Sequence, residues 1–216
     1  MNTQRWEDAR RLEGWAGEVR VNLIRAVALV AFYAHHLVNV YLRPHEPDEA
    51  SFLQGKFTIL VTAVVLAWAG AIFVLYFCLS RRLVPPALKF VATFWDLAMI
   101  TALLMISGEG PQNPLIFLYF LVVAAAPLRL SLPLVYAATL GAMAGAAIVL
   151  GHYVFIQIGT ANYYDLHQPF RIPRTSEVIF VLSLGTAGLL AGQTVRQARR
   201  LVEGYPVRVN ETREAA

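Results

Sequence analysis

A chain of 216 residues that is 57% hydrophobic and only 15% charged differs from soluble domains, in which about 25% of residues are charged. Its mean hydropathy of +0.54 and its uncharged runs of about 20 residues suit a bilayer core about 30 Å thick. The net charge of +4 does not indicate nucleic-acid binding, because the basic residues lie at the ends of apolar runs rather than in one stripe. We therefore expect an all-α membrane helix bundle, with the lipid bilayer rather than nucleic acid as its partner.

The apolar runs predict six transmembrane helices, preceded by an amphipathic cytoplasmic segment at residues 1–20. We expect the last helix to continue into water until Gly204 and Pro206 end it. The predicted organisation is a six-helix transmembrane domain over 21–192 and a cytoplasmic helical extension with a polar tail over 193–216. The six predicted spans are about 21–42, 57–79, 87–106, 114–128, 133–158 and 178–193.

The basic residues predict the orientation of these spans. With both termini in the cytoplasm, only Arg43, Lys56, Arg171 and Arg174 of the 18 Lys and Arg residues lie in outer loops. Because positive residues concentrate on the cytoplasmic side, this distribution favours six spans with both ends inside the cell. We expect a multi-pass protein of the cell inner (plasma) membrane.

The third span carries an acidic residue, Asp96, within a polar stripe that also contains Lys89, Thr93 and Ser107. A charged side chain in the bilayer core costs at least about 2.5–3.5 kcal/mol. We therefore expect the stripe to face the bundle interior, with Thr93 or Lys89 as the partner of Asp96. A structural hydrogen-bonding role and a role as a ligand or proton site fit Asp96 about equally well.

Three histidines lie inside predicted spans: His35 and His36 in the first, and His152 in the fifth. Each is about 10 Å from the outer end of its helix, given a rise of about 1.5 Å per residue. Histidines at equal depth on two helices are candidate axial ligands for haem b. They suit a quinone carbonyl, or hydrogen bonds between helices, just as well. No other metal site is expected, because the single Cys78 excludes any multi-cysteine site.

A polar turn with the sequence SGEGPQNPL, at residues 107–115, joins the third and fourth spans. Gly110 permits a positive φ, Asn113 is placed to cap the fourth helix, and Pro114 is placed to open it. Free N–H groups at a helix start attract ligand oxygens, so a binding site is expected here, with Glu109 beside it.

The six-span layout, the acid in the third span and this turn resemble the membrane input region of bacterial sensor histidine kinases, most closely the RegB/PrrB redox sensors. The turn of those sensors reads GGxxNPF. Gly110, Asn113 and Pro114 match that pattern, whereas Glu109 and Leu115 depart from it. The resemblance covers about residues 20–203 and implies quinone sensing. The kinase domains of such sensors have no counterpart after residue 203 of this sequence.

The expected function is therefore that of a membrane sensor module without catalytic activity, since no catalytic motif occurs in the sequence. It would bind a small apolar or redox ligand, with quinone as the candidate, in the outer half of the bundle. The last helix would carry the signal to a separate output protein such as a kinase or cyclase. The candidate ligand-binding residues are Asp96, Glu109, Gly110, Asn113, Pro114, His36 and His152.

Two alternatives belong to other classes of protein: a b-type haem or quinol oxidoreductase subunit, and a structural membrane subunit. Small residues spaced by four also predict close helix packing, either within the chain or in a homodimer. These residues are Gly141 and Gly145 in the fifth span, and Gly188 and Gly192 in the sixth.

Overall fold

The structure is a computed structural model that describes residues 2–42, 50–81, 85, 87–107, 110–158 and 174–214. Helices are the only regular secondary structure in these residues, so the all-α prediction is confirmed. The α-helices are α1 Asn2–Leu42, α2 Ala50–Ser80, α3 Leu88–Ser107, α4 Leu118–Ala125, α5 Leu132–His152 and α6 Arg174–Glu214. The other helices are three of 3₁₀ type, Gly110–Gln112, Pro114–Phe117 and Ala126–Arg129, and a π-helix, Tyr153–Ile158.

Among the described residues, five helices are long and apolar enough to cross a membrane. The chain is therefore a multi-pass membrane protein. The apolar segment Pro114–Arg129, called here the α4 segment, is shorter than these five helices, so length and composition alone do not make it a sixth span. The five long stretches are Trp15–Val38, Phe57–Ser80, Leu88–Ser107, Leu132–Ile156 and Thr175–Arg200.

The α4 segment runs antiparallel to α3 along nearly its whole length. In its middle, the hydroxyl of Tyr119 is 2.7 Å from Oγ1 of Thr101. At its end, Arg129 donates a hydrogen bond to the carbonyl of Lys89, in the first turn of α3. Only the central part of the segment is α-helical, and the 3₁₀ turns on either side contain Pro114 and Pro127. Because proline has no N–H to donate, it favours such irregular turns over a continuous α-helix.

One end of the bundle is called here the inner end. It contains the end of α2, the start of α3, the end of the α4 segment and the start of α5, together with residues 15–18 of α1 and 196–199 of α6. The opposite, outer end contains His36 near the end of α1 and the turn at residues 110–113. The hydrogen bonds that hold the inner end together run from Trp15 to Leu79, from Lys89 to Ser131 and from Arg199 to Leu130.

The small residues of α5 and α6 pack against other helices of the same chain. A Cβ added at Gly141 would lie 2.6 Å from Cδ1 of Leu97. A Cβ at Gly188 would collide with the side chain of Thr139, which lies on α5. These glycines therefore allow close contacts between helices of the same chain, which is one of the two kinds of packing predicted from their spacing.

The predicted end of the last helix is wrong, because α6 continues through Gly204 and Pro206 to Glu214. Proline removes one backbone donor and crowds the preceding turn, and this weakens a helix without always ending it. The predicted cytoplasmic segment at 1–20 belongs to α1, which runs without a break from Asn2 to Leu42.

Candidate functional site

A buried ion pair joins α1 to α3 in the inner half of the bundle. Arg25 Nε donates to Asp96 Oδ2 at 2.5 Å, and Trp68 Nε1 of α2 donates to Asp96 Oδ1 at 3.0 Å. All three side chains are buried, so Asp96 faces the bundle interior as predicted. The predicted partners, Thr93 and Lys89, are wrong. The residues that share a face of α3 do not indicate which other helix packs against it. Arg25, which lies on α1 and is 71 residues away in the sequence, could therefore not be predicted as the partner.

Arg129, at the end of the α4 segment, forms a second buried charged centre. Its Nη1 donates to Oγ1 of Thr93 at 2.6 Å and to the carbonyl of Lys89 at 3.0 Å. Its Nη2 lies 3.0 Å from Oε2 of Glu18. The direction of that contact is poor for a hydrogen bond, so both Nε and Nη2 of Arg129 are buried donors without a hydrogen-bond acceptor.

Glu18, Arg25, Asp96 and Arg129 together are called here the inner ion network. Isolated charges at this depth would be costly, and pairing with opposite charges offsets much of that cost. Its two basic and two acidic side chains balance, and the ammonium of Lys89 lies nearby, where it donates to Oγ of Ser131 at 3.0 Å. The network therefore connects α1, α3 and the α4 segment.

A narrow cleft between α1 and the α4 segment opens above this network. The two elements touch at the inner end, where a Cβ at Gly17 would lie 2.5 Å from the carbonyl oxygen of Leu128. The open space is about 50 Å³, and its floor contains Arg25, Asp96 and Arg129. The cleft therefore combines an apolar channel with a charged base. The larger apolar side chains of its walls are Ile24, Leu29, Phe32, Trp68, Ile100, Leu118, Leu121 and Val122.

The structure does not bring the predicted histidines together. His36 is buried between the rings of Tyr33 and Phe57, with centroid distances of 6.2 and 5.9 Å, and its Nε2 has no hydrogen-bond partner. His35 lies on the exposed side of α1, and His152 is half-buried in the last turn of α5. The main neighbours of α1 are α2 and residues 126–129, whereas those of α5 are α3, the α4 segment and α6. His36 and His152 thus lie on different sides of the bundle.

The polar turn at the outer end satisfies its own backbone. Oδ1 of Asn113 accepts a hydrogen bond from the N–H of Leu115 at 2.9 Å, and Pro114 opens a 3₁₀ helix of four residues rather than an α-helix. Gly110 has a φ of +57° and packs directly against the ring of Tyr153. Glu109 lies outside the described residues. The side chain of Asn113 therefore caps the turn, and its oxygen already accepts a hydrogen bond from the backbone.

Sequence reasoning missed Arg25 and Arg129 as site residues, because both were assigned to membrane orientation. A signal was present for each. Arg25 lies four residues inside the predicted first span, and Glu18, Asn22 and Arg25 share one face of that helix. Arg129 directly follows the apolar run of the predicted fourth span. Arg25 is therefore an ionisable group within a predicted span and Arg129 borders one, and ionisable groups within a membrane mark functional sites.

When the chain is compared with models of protein families, with curated proteins and with solved structures, no match is found. Within the described ranges, no group of three or more His, Cys, Asp or Glu side chains is arranged to hold a metal ion. The function is therefore argued from the cleft and the inner ion network.

Proposed function

We propose that this protein is a six-span membrane input module that binds a small apolar ligand in the cleft and signals through α6. The observation that carries the proposal is the cleft itself, an apolar channel whose lining also includes the buried charged residues Arg25, Asp96 and Arg129. Ionisable groups within a membrane most often serve a ligand, an ion or a proton path. The resemblance of the outer turn to that of sensor kinases remains a prediction, and it also favours a sensor module.

The geometry of the α4 segment supports the sixth span. A 3₁₀ helix rises about 2.0 Å per residue and an α-helix about 1.5 Å. The segment has four 3₁₀, eight α-helical and four 3₁₀ residues, so it extends about 28 Å, compared with about 24 Å if it were entirely α-helical. The hydrocarbon core is about 30 Å thick. The short segment therefore comes within about 2 Å of the thickness of the core, and a sixth crossing places both chain ends on the same side of the membrane.

Topology reporters test this arrangement. Fusions at Pro47, Gln112 and Gln168 should report an external position, and fusions at Leu83 and Tyr205 a cytoplasmic one. Opposite sides for Leu83 and Gln112 would indicate that α3 crosses the membrane. The same side for Gln112 and Gln168 would indicate that both the α4 segment and α5 cross it. If Gln112 and Gln168 report opposite sides of the membrane, the α4 segment does not cross it.

The charged base of the cleft favours a ligand whose polar group accepts hydrogen bonds and whose body is apolar. A quinone fits, because a carbonyl oxygen can accept from Arg129 while the tail lies between Phe32 and Leu121. Haem b fits less well, because the cleft is too narrow for a macrocycle and His36 lies apart from His152. The proposed site is thus in the inner half of the bundle, rather than at the outer turn.

The proposed signal route runs from Arg129 through the next residue, Leu130, to α6. Arg199 of α6 donates from Nε at 3.2 Å and from Nη2 at 2.8 Å to the carbonyl of Leu130. Leu130 adopts a left-handed φ of +48°, a conformation that non-glycine residues rarely adopt without support from their surroundings. A ligand that shifts Arg129 therefore also shifts the point where α6 is held, and α6 extends on to Glu214 towards a separate kinase or cyclase.

A distance measurement tests this route directly. Cys78 is the only cysteine, so spin labels at Cys78 and at an introduced Arg200→Cys report the position of α6 relative to α2. In nanodiscs, a short-chain benzoquinone should change this distance. Arg199→Gln should abolish the change without preventing ligand binding. The matched control is Arg196→Gln, because Arg196 donates to Tyr136 rather than to Leu130. An unchanged distance in protein that has bound the ligand would contradict the signalling role.

A further inference from the structure

We infer that an anionic phospholipid of the surrounding bilayer binds at the inner end of the bundle, on the lipid-facing side of the junction between α5 and α6. Its phosphate is held by Arg196, Arg200 and the hydroxyl of Tyr136. This inference goes beyond the proposed function, because it concerns a lipid on the outside of the bundle rather than a ligand in the cleft. Three properties of the described residues support it: open donors, local charge and an adjoining apolar surface.

The polar groups of this site are open to their surroundings. Arg196 and Arg200 are both exposed, and Tyr136 is 37% exposed. Nη2 of Arg196 donates a hydrogen bond to the hydroxyl oxygen of Tyr136 at 3.1 Å. Because this oxygen acts as the acceptor, the hydroxyl hydrogen remains available for a second partner. The oxygens of one phosphate can therefore accept from the guanidinium and from the tyrosine together.

The local charge favours an anion. Arg199 donates to the carbonyl of Leu130, so three guanidinium groups occur within five residues of α6. Neither α5 nor residues 178–202 of α6 contain an acidic residue. Neither ion pair of the described residues includes one of these three arginines. Arg196 and Arg200 are four residues apart on one side of the helix, where like charges repel each other, and an anion beside them offsets that repulsion.

An apolar surface continues from these charges into the membrane. Leu140 follows Tyr136 by one turn of α5, and Leu189 precedes Arg196 by two turns of α6, so each lies on the same side as its polar neighbour. Leu140 is 67% exposed and Leu189 is 63% exposed. A Cβ added at Gly185, one turn further along α6, would meet no atom within 4 Å. An acyl chain can therefore lie along this surface while its phosphate reaches the arginines, which a soluble anion does not need.

Spin-labelled lipids test the selection of the head group. Phosphatidylglycerol and phosphatidylcholine probes with the same labelled acyl chain are added to the protein in phosphatidylcholine nanodiscs. Electron paramagnetic resonance then measures the fraction of each probe whose motion the protein restricts. We expect a larger restricted fraction for phosphatidylglycerol. Unlabelled phosphatidylglycerol should displace this probe, whereas glycerol phosphate in solution should not.

Substitutions assign the preference to the site. Arg196→Gln should lower the preference about fivefold, the contribution of one basic residue near a membrane surface to the binding of anionic lipid. Tyr136→Phe leaves the net charge unchanged and should still lower the preference, a loss that general attraction to basic residues does not predict. The matched controls are Arg81→Gln and Tyr76→Phe, because both residues are exposed on α2 and Arg81 lies over the ring of Phe77. Both controls should keep the preference, and thermal unfolding verifies that each variant is folded.

Several outcomes would overturn this inference. Equal restriction of the two probes by the unaltered protein would exclude selection of an anionic lipid. Equal losses in Arg196→Gln and Arg81→Gln would indicate general surface charge, and an unchanged preference in Tyr136→Phe would exclude the built site. Displacement by glycerol phosphate would indicate a soluble anion. None of these measurements uses a quinone, so a protein that prefers phosphatidylglycerol but does not respond to quinone retains this inference and loses the input-module proposal.

Discussion

The outer turn and the inner ion network both place polar residues in apolar surroundings, but they satisfy those residues in different ways. At the outer turn, Asn113 bonds to a backbone N–H two residues further along the chain. In the inner ion network, Arg25 and Asp96 are 71 residues apart, and Arg129 bonds to α3 at Thr93 and pairs with Glu18 of α1. The comparison indicates that the polar motif at the outer turn builds local backbone structure. Polar residues that pair across long sequence distances, as in the inner ion network, are the stronger candidates for a functional site.

The largest effect is expected from Asp96→Leu, which leaves the charge of Arg25 buried and unpaired. Removing one partner of a buried ion pair costs about 3–5 kcal/mol. The loss can be measured as the change in unfolding free energy in a mixed-micelle denaturation experiment. Asp96→Asn should cost less, because its oxygen can still accept a hydrogen bond from Trp68 or Arg25.

The double variant Arg25→Leu with Asp96→Leu is the control for that experiment. Removing both charges should restore most of the stability lost in Asp96→Leu, because no unpaired charge remains. If the double variant is as unstable as the two single variants combined, the two residues do not act as a pair.

A smaller effect is expected at the outer turn from Gly110→Ala. The left-handed φ of +57° costs a residue with a Cβ about 1–2 kcal/mol, and the new methyl group would press on Tyr153. We expect a loss of about 2 kcal/mol in unfolding free energy with normal ligand binding. The matched control is Gly70→Ala in α2, where the added Cβ meets no atom within 4 Å. That variant should be neutral, or more stable by up to about 1 kcal/mol.

The smallest expected effect on stability best distinguishes a binding site at the outer turn from one at the inner ion network. Asn113→Ala should cost about 1 kcal/mol through the lost cap and leave ligand binding unchanged. Arg129→Lys should instead weaken the binding of a short-chain benzoquinone. Binding of this quinone to both folded variants can be measured by fluorescence. Loss of binding in Asn113→Ala alone would return the site to the outer turn.

Much of the fold could be predicted from the sequence, because helix positions in a membrane depend mainly on local hydropathy. The orientation of Asp96 towards the interior followed from the cost of a charge in lipid. The mixed 3₁₀ and α structure of the α4 segment was not predicted. Pro114 and Pro127 were visible in the sequence, but their effect depends on the length that the segment must cover between α3 and α5.

The candidate site could be predicted only in part, because the sequence does not reveal which helices are neighbours. Asp96 was identified, and its partners were not, since Arg25 and Trp68 come from two other helices. For His36 and His152, a pairing was predicted that the structure does not contain. Their equal depth suggested a pair, but depth along a helix says nothing about the side of the bundle on which each residue lies.

The inner ion network also has a consequence for the order in which the chain enters the membrane. Glu18 and Arg25 lie in the first spanning stretch, whereas their partners are at positions 96 and 129. During synthesis the first helix therefore emerges with charges that nothing yet compensates, and a charge at a helix centre costs about 2.5–3.5 kcal/mol on the insertion scale. We expect nascent chains that end before residue 96 to insert α1 poorly, and chains that extend past Arg129 to insert it fully. Protease protection of arrested chains of increasing length would reveal this delayed insertion, and full insertion of the shortest chains would exclude it.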